Sequence, residues 1–175
     1  MRDAPVLAEV PRTQIEEWLR TIGCTPTETT DPQAKWNISF DYPARSPHRM
    51  VVANPIAIPS AAVIGSGIML TPQHLQNFAK LDDEEKERFL WSLRQKVNCA
   101  EVEFQFFDVT QRLDCPSKIQ FSVVRYADGL TMDSFARSLG AVFKTELGTI
   151  WLVEEHLGGG EVGPGRRFDF KKLGL

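Results

Sequence analysis

Ala61-Ala62-Val63-Ile64-Gly65-Ser66-Gly67-Ile68-Met69-Leu70-Thr71-Pro72 is the stretch from which the fold can be read. Ala61 to Leu70 is a nearly unbroken apolar run, too short for an isolated buried helix and bounded by Pro59 and Pro72. That length and those flanks predict a buried strand. Thr71 then offers a hydroxyl cap and Pro72 a residue already set for the first helical position, so a helix starts here.

Downstream, Leu75, Phe78 and Ala79 continue at helical spacing as far as Leu81. Asp82 with Glu85 three residues on has the form of a capping box, predicting a bend or a fresh helix start. The second half carries Phe89, Leu90, Leu93 and Val97, with acids early and Arg94 and Lys96 late. That order complements the helix dipole.

Upstream, Ile15, Trp18, Leu19 and Ile22 mark an amphipathic helix introduced by Pro11-Arg12-Thr13 and stopped at Gly23. Thr25 to Pro32 is composed of Thr, Pro, Glu and Asp and reads as a loop. Trp36, Ile38, Phe40 and Tyr42 alternate with Asn37, Ser39 and Asp41, predicting a strand with one buried and one wet face. Arg49 to Ala53 reads as a second short strand.

Beyond the second helix, Val102, Phe104 and Phe106 alternate with Glu101, Glu103 and Gln105. Ile119, Phe121 and Val123 likewise alternate with Lys118, Gln120 and Ser122. These are two half-buried strands of an antiparallel hairpin. Thr131 caps a long helix bearing Met132, Phe135, Leu139, Val142, Phe143, Leu147, Ile150 and Trp151, which Gly158-Gly159-Gly160 ends. The expectation is an α+β domain in the order α-β-β-β-α-β-β-α. Its sheet has five antiparallel strands with helices packed on it in two layers. Residues 1–157 form this domain, and 158–175 form a Gly-rich hinge and tail.

The chain has 175 residues, 42% hydrophobic and 25% charged, enough for one core without metal or disulfide. A net charge of −3 lacks the basic excess of a nucleic-acid binder. No run is long and apolar enough for a membrane span, and Met1 to Pro5 lacks the apolar core of an export signal. Cys24, Cys99 and Cys115 are expected as reduced thiols, and the protein as cytoplasmic.

Sites of chemistry are sparse. Gly65-Ser66-Gly67 lacks the third glycine of a dinucleotide fingerprint, Leu70 standing there, and reads as a twist in a strand. His48, His74 and His156 have no ligand partners at metal spacing, and no cofactor or metal is expected. Cys115 before Pro116 would be a nucleophile only if a histidine approached it in space. Phe107, Val124 and Tyr126 place apolar side chains on otherwise polar strand faces, a candidate patch for a partner or second subunit. In the tail, Phe168 and Phe170 alternate with Arg167, Asp169 and Lys171, a spacing suited to docking an extended segment.

The element order resembles the type III secretion chaperone-like fold, which uncharacterised archaeal and bacterial families share. The likeness spans Pro11 to Leu157 and is strongest at Ile64 to Leu70, Thr71-Pro72, the break at Asp82 and the paired strands that follow. The resemblance implies a non-enzymatic, homodimeric protein-binding module, chaperone-like or regulatory, that holds extended segments in apolar grooves. An enzyme assembled around Cys115 or the histidines is the alternative, as is a weak nucleic-acid binder acting through the tail.

Overall fold

The computed structural model describes residues 8–98, 101–158 and 163–164. Its elements are α1 (Arg12–Thr21), β1 (Thr27–Thr29), β2 (Ala34–Asp41), β3 (Arg49–Pro55), β4 (Ala61–Met69), α2 (Pro72–Lys80) and α3 (Asp83–Val97). β5 (Glu103–Phe107), β6 (Lys118–Tyr126), α4 (Met132–Leu157) and β7 (Gly163–Pro164) follow. Among the described residues the sheet runs in the order β1-β2-β3-β4-β6-β5, with β7 against β4. The mixed α+β, antiparallel expectation therefore holds, but the strand count of five does not.

Both additional strands owe their existence to pairing. Thr27 to Thr29, expected as loop, joins β2 in the register Thr27 with Ser39 and Thr29 with Asn37. β7 pairs Gly163 with Met69 and Pro164 with Ile68.

The chain forms two compact units. Among the described residues, one contains 8–64 and 124–139, the other 65–98, 101–123, 140–158 and 163–164. In the first unit, α1 ends as its glycine predicts. Gly23 takes φ +85°, the Gly23 amide donates to the Arg20 carbonyl and the Cys24 amide to that of Leu19. Those two bonds make a Schellman motif, which only a residue tolerant of positive φ closes without strain. Trp18 meets Phe135 with ring centroids 5.6 Å apart. β2 and β3 pair Ile38 with Val52 and Phe40 with Met50, all fully buried. The opposite face of β2 was expected to be wet, yet Asn37 and Ser39 are buried there, and Ser39 Oγ accepts from Arg49.

In the second unit, both helix starts follow the sequence. The Thr71 hydroxyl accepts from the His74 amide, and the Thr71 amide donates to His74 Nδ1. Asp82 accepts from the Glu85 amide at 2.8 Å while Glu85 accepts from the Asp82 amide at 3.1 Å. Phe89 joins Phe78 and His156 in an aromatic cluster, and the Asn77 amide caps the Leu157 carbonyl at 2.7 Å.

Two expectations about exposure fail. Phe104 is 36% exposed because β5 ends the sheet, whereas Gln120 and Ser122 of the expected wet face are buried. Trp151, counted among the core residues of α4, is 61% exposed.

Candidate functional site

α3 buries Phe89, Leu90, Leu93 and Val97 along one stripe. Trp91 is two residues after Phe89, roughly 200° around the helix at 3.6 residues per turn, and is 62% exposed. The loop after β5 comes back to this helix because its own turn is closed. Asp114 accepts from the Thr110 hydroxyl and amide and from the Gln111 amide, at 2.7 to 2.8 Å. Those bonds, the Thr110 hydroxyl first, hold the Asp114 carboxyl below its ordinary pKa. Arg112 then reaches Glu87 of α3 at 2.8 Å, and Arg94 donates to the Arg112 carbonyl at 3.5 Å.

The result is an open groove of about 350 Å³ between α3 and the loop. Trp91, Leu90 and Leu113 supply its apolar surface, while Glu84, Arg88 and Arg94 are among its charged walls. Arg88 and Glu84 are paired to each other at 3.0 Å. The groove thus sets an exposed indole beside guanidinium groups, with further charge along its rim. None of these residues was singled out from the sequence as part of a site, Leu90 and Arg94 having been read only as core and dipole-complementing positions of the helix. Trp91 left one signal: it sits off the apolar stripe of its own helix.

The residues marked in the sequence are scattered. Phe107 is buried rather than exposed, with the Lys118 ammonium 4.8 Å above its ring. It pairs with Lys118 at one end of β6, whereas Tyr126 ends the other. Tyr126 is 47% exposed and Val124 is half-buried. Phe168, Phe170 and the rest of the tail beyond Pro164 lie outside the described residues, as does Cys99.

Cys24 is a buried free thiol and Cys115 a half-buried one. Burial pushes the Cys115 thiol up to about 12, so it stays protonated and a poor nucleophile at neutral pH. His74 is fully buried as part of the α2 cap, His156 is exposed against Phe89, and His48 is half-buried before β3. Among the described residues no group of three His, Cys, Asp or Glu side chains is placed to hold a metal. The tempting Gly65-Ser66-Gly67 segment lies inside β4, where Ser66 Oγ donates to the buried Glu146 carboxylate of α4 at 2.7 Å. Among the described residues no helix is long and apolar enough to cross a membrane.

Residues 11–153 match the family described as uncharacterized conserved protein, DUF2299. The chain belongs to that family. In fold it is similar to an uncharacterized protein from Methanothermobacter thermautotrophicus, known from a crystal structure. The TM-score is 0.75 at 23% identity, covering 84% of this chain and 99% of that one. A search of the curated proteins returns no match. For this DUF2299 chain the comparisons therefore carry architecture, and function rests on the side chains.

Proposed function

We propose that this protein is a non-enzymatic protein-binding module, chaperone-like or regulatory, that grips a partner's segment in the groove beside Trp91 and works as a homodimer. The observation that carries this is the 62% exposure of Trp91 in a groove walled by ion-paired arginines. Exposing so large an apolar side chain wastes burial that a monomer has every reason to use, whereas a partner recovers it. The resemblance to type III secretion chaperone-like proteins points the same way. Trp151, equally exposed on α4, marks the face offered to a second copy. The enzyme alternative loses ground because its best nucleophile, Cys115, is held as a thiol.

The test is affinity capture from the native organism with the wild-type chain, Trp91→Ala and Trp151→Ala, followed by affinity measurement on the partner recovered. Trp91→Ala should weaken binding by roughly 30-fold or more, the scale of a buried hot-spot tryptophan. Trp151→Ala should instead shift the monomer–dimer balance in light scattering. A partner held equally well by Trp91→Ala would rule out the α3 groove.

A further inference from the structure

The groove beside Trp91 holds one more positive charge than it neutralises, and that charge stands next to the indole. Glu84, Arg88, Trp91 and Arg94 follow at steps of four, three and three, so they form one row along α3. Glu84 holds Arg88 at 3.0 Å, and Glu87 holds Arg112 of the facing loop at 2.8 Å. Arg94 is different. Among the described residues it meets no carboxylate, and its bond to the Arg112 carbonyl is 3.5 Å long.

A guanidinium offers five donors in a fork that matches a carboxylate, so most of the capacity of Arg94 is unused. Arg94 is also half-buried, where a charge pair is screened less than in the exposed Glu84–Arg88 pair. Three residues of helix separate Trp91 from Arg94, a rise of about 4.5 Å. In an extended chain, at about 3.3 Å per residue, that spans an acidic residue and an apolar one placed one or two positions away. Trp91, Leu90 and Leu113 are surface for the apolar member, which a free small anion lacks. A basic residue at the same place would meet Arg94 as a like charge.

We infer that the occupant of the groove is an acidic–apolar segment of a partner protein. Its Asp or Glu carboxylate forks onto Arg94, and an aromatic or aliphatic side chain one or two positions away covers Trp91 and Leu113. The inference rests on the protein-binding reading of this groove and adds the chemistry of what it binds.

A phage-displayed library of random dodecapeptides is selected on the full chain, and the recovered sequences are re-bound to Trp91→Ala. Peptides that need Trp91 should carry Asp or Glu within two positions of an aromatic or aliphatic residue, well above the frequency in the unselected library. The strongest is then synthesised with its acid and with the matching amide, Asn or Gln, and both are titrated by fluorescence anisotropy. Wild type should prefer the acid by about tenfold or more, the scale of hydrogen bonds to a charged group. Arg94→Gln should bring the two peptides to the same affinity. If Arg94→Gln instead weakens both equally and the preference survives, Arg94 only supports the loop and the inference falls. Trp91-dependent peptides without the acid would overturn the inference and leave the groove standing. A library that yields no Trp91-dependent peptide would overturn the groove reading and the inference together.

Discussion

Gly140→Ala is expected to stabilise the protein, and the size of the effect follows from the surroundings of one missing methyl group. Gly140 sits inside α4, where glycine forfeits backbone entropy and lies about 0.8–1.0 kcal/mol above alanine. A Cβ built there meets nothing within 4 Å, so no steric cost offsets the gain. For a chain of this size, about 1 kcal/mol corresponds to a rise in Tm of roughly 2–4 °C. Scanning calorimetry of wild type and variant at two protein concentrations measures it. Gly67→Ala is the internal contrast. Its Cβ would stand 3.1 Å from the Ile119 carbonyl, a backbone atom with little freedom to retreat. Overpacking of that kind costs about 1–3 kcal/mol, so this variant should melt lower. A fall in Tm for Gly140→Ala would refute the reasoning.

Asp82→Ala removes one half of the α3 capping box and should cost about 1 kcal/mol, read as a lower urea midpoint at unchanged slope. Ser66→Ala takes the hydroxyl donor from the buried Glu146 carboxylate and should cost about 1–3 kcal/mol in the same assay. Stability should decline in alkali. The Cys115 thiol titrates at its ordinary value of 9.0 when unfolded but near 12 when folded, so the unfolded state sheds its proton first. The contribution is complete below pH 9 and is lost between 9 and 12. Cys115→Ser should flatten that slope, and native Cys115 should react slowly with disulfide reagents at pH 8.

Much of the fold was legible because it is written locally. The Thr71-Pro72 start, the Asp82–Glu85 box and the Gly23 stop each need only a few neighbouring residues, and all three form. β4 announced itself by composition and is buried along both faces up to Met69. β1 was hidden because its three residues, Thr27, Glu28 and Thr29, are ordered by β2 and not by their own pattern. The alternation of β6 correctly separated its two faces, but polar Gln120 and Ser122 were read as wet. Period two tells which residues share a face and nothing about what lies on it. The α3 groove was invisible for a similar reason. It exists because Asp114 closes a turn that returns Arg112 to Glu87, a contact 25 positions apart in the sequence.

The way the chain is shared between its two units has a consequence for its synthesis. The unit that starts at the N-terminus also needs residues 124–139, and these emerge only after 65–123 have been made. At roughly 5–20 residues per second, that interval lasts about 3–12 s. During it β1, β2 and β3 have been made without the segment that completes their unit. The other unit must likewise wait for the end of α4. Newborn chains therefore present bare strand edges to whatever is nearby, and premature termination before Met132 leaves neither unit whole. Yield of this protein in cells should respond to translation speed and to holdase supply more than its finished stability would suggest.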